Sequence, residues 1–363
     1  MPAPVQDVLT ESKVKALSFG LEPAMNAAHS LMLMTMTEKR SGLGEWIVRT
    51  AQSMSKEEQD MHRLVIIGFY FLINPDRSWP SFPAYIDHLA GRDPLEMQES
   101  LLQTYAEMGK FEVGEYDKKE VLANADNYIA FLAGRFGEDH VEVELEKKAY
   151  EYVRQPEAMQ ELIVSYLRKM WDEHLKEEWD RVRPMLEDSA AAFQQVDFSE
   201  MSKEDAIKFV AADGMDDKFW TWLMENSERV TFVPSAHVGP YVGRYHSKDQ
   251  LWVIFGARIP DGVDVDAPDL SRADIVVRLN AMADDDRLRI LKLISQKGEL
   301  RSADVMEELG LSQSASSRHL KQLSASGFLT ERRCNGSKCY QLNPARIEHT
   351  LDAIANFLLA GAS

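Results

Sequence analysis

The stretch SADVMEELGLSQSASSRHLKQLSASGFLTERRCNGSKCY, Ser302–Tyr340, leaves little local freedom: its punctuation dictates helix, tight turn, helix and hairpin in succession. Ser302 is a good N-cap, Asp304 falls in the first turn where the helix dipole favours an anion, and Val305, Met306 and Leu309 form a helical apolar stripe. Gly310 stands where a left-handed residue ends such a helix, Leu311 supplies an apolar plug beneath the turn, and Ser312 can cap the next helix. In that second helix Ala315, Leu320 and Leu323 are expected to point inward, which leaves Gln313, Ser314, Ser317, Arg318 and Lys321 facing out. Thr330–Cys334 and Ser337–Leu342 then flank Asn335-Gly336, the dipeptide favoured by two-residue hairpin turns.

An outward face of short polar and cationic side chains suits a helix that enters the major groove, and its N-terminal amides favour phosphate. Arg332, Arg333 and Lys338 cluster on the hairpin, as contacts along a phosphate backbone require. A helical hairpin alone also describes an ordinary surface helix with a polar face; followed by a basic hairpin, it is far more specific. Residues 271–357 resemble the ArsR/SmtB family of bacterial winged-helix repressors. The matching pieces are Ala281–Arg287, Leu311–Leu323, the Gly327-Phe328-Leu329 turn and the wing at Arg332–Tyr340. The resemblance implies a winged helix-turn-helix on double-stranded DNA, with Gln313, Ser314, Ser317 and Arg318 reading bases, Lys321 on the same face, and Arg332, Arg333 and Lys338 on phosphates. It also implies a homodimer on a palindromic operator, paired through the first and last helices, here Ala273–Met282 and Pro344–Leu359. Their stripes, Ile275, Leu279 and Met282, and Ile347, Leu351, Ile354 and Leu358, suit such pairing or packing within one chain. His319, which matches a family histidine, is expected to pack between helices.

Many members of that family sense metals through a Cys-x-Cys pair before the recognition helix. Arg301 and Ala303 occupy those positions here, and Glu348, His349 and Asp352 on the last helix lack a spaced partner set, so neither a metal nor a cofactor is expected. The chain's two cysteines, Cys334 and Cys339, both fall in the hairpin, which rules out a zinc finger, iron–sulfur cluster or disulfide framework within one chain. A two-residue turn sets Arg332 opposite Cys339 and makes the cysteines diagonal neighbours, about 7–8 Å apart and just past comfortable disulfide geometry. They read either as a redox switch that distorts the wing or as two small half-buried residues in a reduced compartment.

The remaining three-quarters is different in kind. Residues 271–363 carry 13 Lys+Arg and 11 Asp+Glu, net +2, which leaves 28 and 48 for residues 1–270, net −20. So acidic a body is repelled by DNA. Ile259–Asp269, rich in Pro, Gly and Asp, reads as the linker. The expected domains are therefore 1–258, 259–270 as linker, and 271–363. Helices are expected over Glu22–Met36, Gly44–Ser53, Lys56–Leu72, Pro94–Met108, Lys118–Gly134, Glu142–Arg154, Gln155–Phe193 with a kink at Pro184, Ser202–Ala211 and Asp216–Glu225. Arg229–Pro234, Tyr241–His246 and Leu251–Phe255 read as a small antiparallel sheet beside the linker. The fold class is mainly α with small β elements (α+β).

Trp220, Tyr241, Arg244, Tyr245 and Trp252 crowd the sheet region, either lining an amphipathic ligand pocket with Arg244 toward an anionic group, or forming the core of a helix–sheet layer. Leu17–Leu31, Gly42–Glu58 and Arg229–Tyr245 look like the long regulatory region of multidomain ArsR-type regulators, a likeness that attaches no function to residues. The longest apolar run, Leu64–Ile73, is about half a bilayer span, so no membrane partner and a cytoplasmic location are expected. No nucleophile elbow, phosphate loop, dinucleotide fingerprint or HExxH pair is present, which argues against an enzyme. The expectation is a dimeric DNA-binding repressor whose N-terminal region senses a small molecule or a partner. The alternatives are redox control through Cys334 and Cys339, or a protein-partner adaptor with a DNA-binding tail.

Overall fold

In the computed structural model, residues 17–40, 42–107, 114–199, 201–211, 218–239, 241–260, 272–334 and 337–359 are described. In chain order the elements are β1 (Leu17–Phe19), α1 (Pro23–Met34), α2 (Glu45–Ser53), α3 (Lys56–Gly68), α4 (Tyr70–Ile73), α5 (Phe82–Gly91), α6 (Pro94–Glu107), α7 (Lys118–Val121), α8 (Ala125–Phe136), α9 (Val143–Val153) and α10 (Pro156–Met170). They continue with α11 (Lys176–Gln194), α12 (Lys203–Ala211), α13 (Lys218–Glu225), β2 (Arg229–Ser235), β3 (Gly243–Ser247) and β4 (Gln250–Gly256). The last stretch holds α14 (Arg272–Met282), α15 (Asp285–Lys297), β5 (Leu300–Arg301), α16 (Ser302–Leu309), α17 (Gln313–Ala325), β6 (Leu329–Cys334), β7 (Ser337–Leu342) and α18 (Pro344–Leu359). The chain divides into two units: residues 22–36 with 49–176, and residues 1–21 and 37–48 with 177–363.

The first unit is helical. Ser55 and Glu58 close a capping box that starts α3, and Asn124 caps α8. Helix α10 packs on α5 and α6, and α9 on α3 and α8, around Leu64, Val65, Ile86, Leu101, Tyr128 and Ile163. His62 crosses this core: its Nδ1 lies 2.6 Å from the Tyr166 hydroxyl and its Nε2 2.9 Å from the Leu31 carbonyl. Helix α5, started by Ser81 and Pro83, has no counterpart in the sequence-based expectation. The expected kink at Pro184 is also displaced. A π-turn at Trp171–Leu175 separates α10 from α11, while Pro184 lies inside a continuous α11.

In the second unit a four-stranded sheet runs β1-β2-β4-β3. It is mixed, not antiparallel: β1 and β4 both pair with β2 in parallel, and only β3 and β4 run antiparallel. A layer formed by α11, α12 and α13 covers one face, burying Phe193, Ile207, Val210 and Trp220 against Val230, Phe232, Leu251, Val253 and Phe255. Both parallel strands are nearly continuously buried, so their apolar runs lack the alternation of a half-solvated antiparallel sheet.

The chain downstream of β4 belongs to this same unit. Of the expected linker, residues 261–270 lie outside the described residues. Its first two, Ile259 and Pro260, are buried, and Pro260 forms a β-bridge with Glu331.

Candidate nucleic-acid interface

Helices α15, α16 and α17 and the hairpin β6–β7 close over Ile290, Ile294, Val305, Leu320, Leu323, Phe328, Leu329 and Tyr340, and β5 joins the hairpin in the order β5-β7-β6. The turn between α16 and α17 follows the local chemistry. Gly310 is left-handed at φ 67°, and the Ser312 hydroxyl accepts from the Ala315 amide at 3.2 Å. The N-cap of α16 is Arg301 instead of Ser302, because the Asp304 carboxylate reaches back to accept the Arg301 amide at 2.8 Å.

On α17, Gln313, Ser314 and Arg318 are exposed and Ser317 partly so, lying together at the helix N-terminal half. Ser316, Leu320 and Leu323 are the inward residues; Ser316, not Ala315, fills the first inward position, with its hydroxyl 3.4 Å from that of Ser302. His319 is buried, 3.7 Å from Asp284, and burial holds its imidazole below the usual range.

Lys321 leaves the outward face. Its side chain lies against Gly256, where a β-carbon would stand 2.8 Å from the lysine Cε, and it joins a partly buried charge cluster with Arg258, Glu331 and Lys338. Burial and the neighbouring Lys338 hold its ammonium well below the ordinary lysine range. Burial pushes the Glu331 carboxyl up, but Lys338, Arg258 and Lys321 outweigh it and lower it to about 2. Lys338 is engaged in the same cluster, 3.1 Å from Glu331, so it turns from the solvent face of the wing toward its base. A helical wheel marks Lys321 as outward because it cannot show that β4 and the segment after it pack there.

Arg332 on β6 pairs with Glu299, and faces Cys339 in the hairpin register as expected. The Arg333 side chain and the Asn335-Gly336 turn lie outside the described residues. Cys334 and Cys339 are joined as a disulfide with their Cα atoms 6.0 Å apart, closer than the about 7–8 Å expected of diagonal neighbours and within disulfide range. One donor atom from each of Glu299, Cys334 and Cys339 lies within 4.8 Å of the others; it is the single such group among the described residues. Bonded to each other, the sulfurs offer no thiolate to a metal.

The five residues of the suspected ligand pocket do not converge. Arg244 lies opposite Val253 and its guanidinium stands 5.1 Å over the Trp220 ring, on the face packed by α13. Tyr245 lies opposite Trp252, so this pair projects from the other face of the sheet. Trp220, Tyr245 and Trp252 are all buried, which is the core reading of these aromatics. The Arg40 guanidinium stands 4.7 Å over the Tyr241 ring.

Two charged constellations escaped the sequence. Asp188 on α11 accepts from Arg278 on α14 (3.2 Å) and from Arg346 on α18 (2.8 Å), and all three are largely buried. Glu178, also buried, binds His237 at 2.8 Å and Arg181 at 2.5 Å, with the Trp46 ring stacked on the imidazole. Burial raises the Glu178 carboxyl, and its partners more than reverse the shift. The exposed apolar side chains of α14 and α18 include Val276, Leu279, Leu351, Phe357 and Leu358.

The family model for bacterial regulatory proteins of the arsR family matches residues 284–331, from the cap of α15 to the wing. The arsenic resistance transcriptional regulator ArsR1 of Pseudomonas putida is 43% identical over 63 residues, 17% of this chain and 49% of that protein, so the chain spans about half the length of this curated relative. HlyU from Vibrio cholerae N16961 is 32% identical at a TM-score of 0.20, over 23% of this chain and 91% of that one. The AntR antimony-specific transcriptional repressor is 24% identical at a TM-score of 0.20, over 27% of this chain and 92% of that one. None of the three proteins covers more than 27% of this chain, and the family model falls within the winged helix. Through that part, the chain belongs to the ArsR family of bacterial regulatory proteins.

Proposed function

We propose that the chain is a transcriptional regulator that reads double-stranded DNA with the exposed N-terminal half of α17 and steadies itself with the wing. One observation carries the reading: Gln313, Ser314, Ser317 and Arg318 share an accessible face, while the apolar side of the same helix is fully used by the core. Gln313 and Arg318 offer the fork-like donors that pair with base edges. Arg332 and Arg333 supply the phosphate-facing charge. The surface of α14 and α18 is covered by a second copy, because Val276, Leu279, Leu351 and Phe357 would otherwise stay in water. Two copies then place two α17 helices on a palindromic operator, one helical turn or a multiple apart, and repression follows from occupying a promoter. No described helix is long and apolar enough to cross a membrane, and the protein works where the chromosome is. The other unit and the sheet receive the signal, from a small molecule or a partner. The protein itself catalyses nothing.

Selection of duplexes from a random pool, followed by titration at fixed salt, tests this. Arg318→Ala should weaken specific binding by about 1–3 kcal/mol and relax preference at one position. Arg332→Ala should weaken all sequences alike and lower the salt slope by about one. Equal affinity of the wild type for selected and random duplexes would refute the reading.

A further inference from the structure

Both cysteines of the chain lie in the wing. Cys334 is the last residue of β6 and partly exposed; Cys339, on β7, is 4% exposed. The register pairs Cys334 with Ser337 and Arg332 with Cys339, so the disulfide runs diagonally between the two strands at a Cα separation of 6.0 Å. Ordinary diagonal neighbours sit about 7–8 Å apart, so the bonded pair stands closer than an unlinked diagonal pair. Glu299 lies beside both sulfurs and beside Arg332. One of its oxygens is bonded by Arg332, while the other, Oε1, is buried without a hydrogen-bond partner. A buried carboxylate oxygen without a donor is costly, and the neighbouring sulfurs of Cys334 and Cys339 carry a proton only when reduced.

We infer that Cys334 and Cys339 form a reversible dithiol–disulfide centre that sets the DNA affinity of the wing, the reduced form binding and the oxidised form releasing. The inference rests on the DNA-binding reading above and adds its control. In the dithiol form an S–H donates to Oε1 of Glu299, which weakens the hold of that carboxylate on Arg332 and lets the guanidinium turn to a phosphate. In the disulfide form neither sulfur can donate, and Glu299 keeps Arg332 from the phosphate. The oxidant is a hydroperoxide. The Cys334 thiolate, the more accessible sulfur, attacks a peroxide oxygen and breaks the O–O bond, giving a sulfenic acid and water or an alcohol. The Cys339 thiol then attacks that sulfur and expels water. Overall two electrons and two protons pass from the thiols to the peroxide. Thiol–disulfide exchange with a small dithiol reverses the step.

The test uses the full chain and a duplex selected by the reduced protein, with affinity measured by fluorescence anisotropy. Protein reduced with dithiothreitol is compared with protein treated with hydrogen peroxide and freed of it, and thiols are counted by alkylation and mass spectrometry. Peroxide should remove two thiols per chain without linking chains and weaken binding at least tenfold; dithiothreitol should restore both. Cys334→Ser and Cys339→Ser should each bind like the reduced wild type and ignore peroxide. Glu299→Gln should still form the disulfide but show a smaller oxidised-to-reduced ratio. Unchanged affinity in protein whose disulfide is verified overturns the inference while leaving the DNA reading intact. So does a thiol count that stays at two, or a disulfide between chains. Protein that selects no duplex even when reduced overturns the DNA reading, and this inference with it.

Discussion

Replacing Asp188 with asparagine removes the shared anion of two buried guanidiniums. Asp188 accepts from Arg278 Nη2 at 3.2 Å and from Arg346 Nη2 at 2.8 Å, with side-chain exposures of 15% for the carboxylate and 4% and 6% for the arginines. Arg346 keeps one further bond, from Nε to the Ser326 carbonyl at 3.1 Å. Breaking a buried ion pair by removing one partner costs about 3–5 kcal/mol, because the surviving charge stays out of water. Asparagine retains one neutral acceptor oxygen, which sets the expectation at the lower end, about 3 kcal/mol. The loss falls on α11, α14 and α18, the three helices this carboxylate ties together. Amide hydrogen exchange read by mass spectrometry reports it directly: 3 kcal/mol corresponds to roughly a hundredfold faster exchange in α14 and α18, with α3 and α10 unchanged. Arg346→Met with and without Asp188→Asn completes a double-mutant cycle, whose coupling should exceed about 1 kcal/mol. Exchange in α14 and α18 that matches the wild type would refute the assignment of these helices to α11 through Asp188.

Two further outcomes follow from the buried groups. Burial, helped by Glu142, raises the Glu146 carboxyl to about 8, so the folded chain binds that proton more tightly than the unfolded one, whose carboxyl titrates near 4.5. Its contribution is full below 4.5 and lost as pH rises through 8, so Glu146→Gln should flatten the fall in melting temperature between pH 4.5 and 8; parallel profiles would count against it. His62 acts with the opposite sign: burial lowers it to about 4, its contribution is intact above 6.5, and it is lost as pH falls through 4. Gly239 has φ 64°, and a β-carbon there would stand 2.3 Å from the Gly42 carbonyl oxygen, a backbone atom. Gly239→Ala should therefore cost about 3 kcal/mol by denaturant unfolding; a loss under about 1 kcal/mol would show that the loop yields.

What could be read in advance, and what could not, divides along a physical line. Gly310, Ser312 and the pairing that sets Arg332 opposite Cys339 are local: each depends on residues within a few positions, and the structure places them as their chemistry dictates. Lys321, Lys338 and Asp188 depend on what arrives from far along the chain. Each is a charged residue on a face that looks solvated in one dimension, and each finds its partner in an element of distant sequence or across a hairpin. For Asp188 a faint signal existed: Ser189 and Ala190–Ala192 beside it are too small for a solvent face built of long charged side chains. The mixed sheet was legible in principle too, since Phe232–Pro234 and Leu251–Phe255 are unbroken apolar runs, the mark of strands covered on both faces. The linker was misjudged at its start because Ile259 and Pro260 carry apolar surface that a solvated tether has no use for.

These buried charges alter how the winged helix meets DNA. Its net charge of +2 counts Lys321 and Lys338 as cations available to phosphate, yet both are committed to Glu331 and its surroundings. Arg278, Arg287 and Arg346 are buried as well. Of the cations that the resemblance assigns to DNA, Arg318, Arg332 and Arg333 remain for the proposed interface, and counterion release from about three such contacts gives a shallow salt slope of about −3 for a single copy. So weak an electrostatic hold makes a lone winged helix a poor DNA binder, and the proposed pairing through α14 and α18 would double the slope to about −6. A measured slope near −3 for the specific complex would therefore mean that one chain binds alone. It would also leave Leu279 and Leu351 exposed in the bound state, which the doubled slope would not.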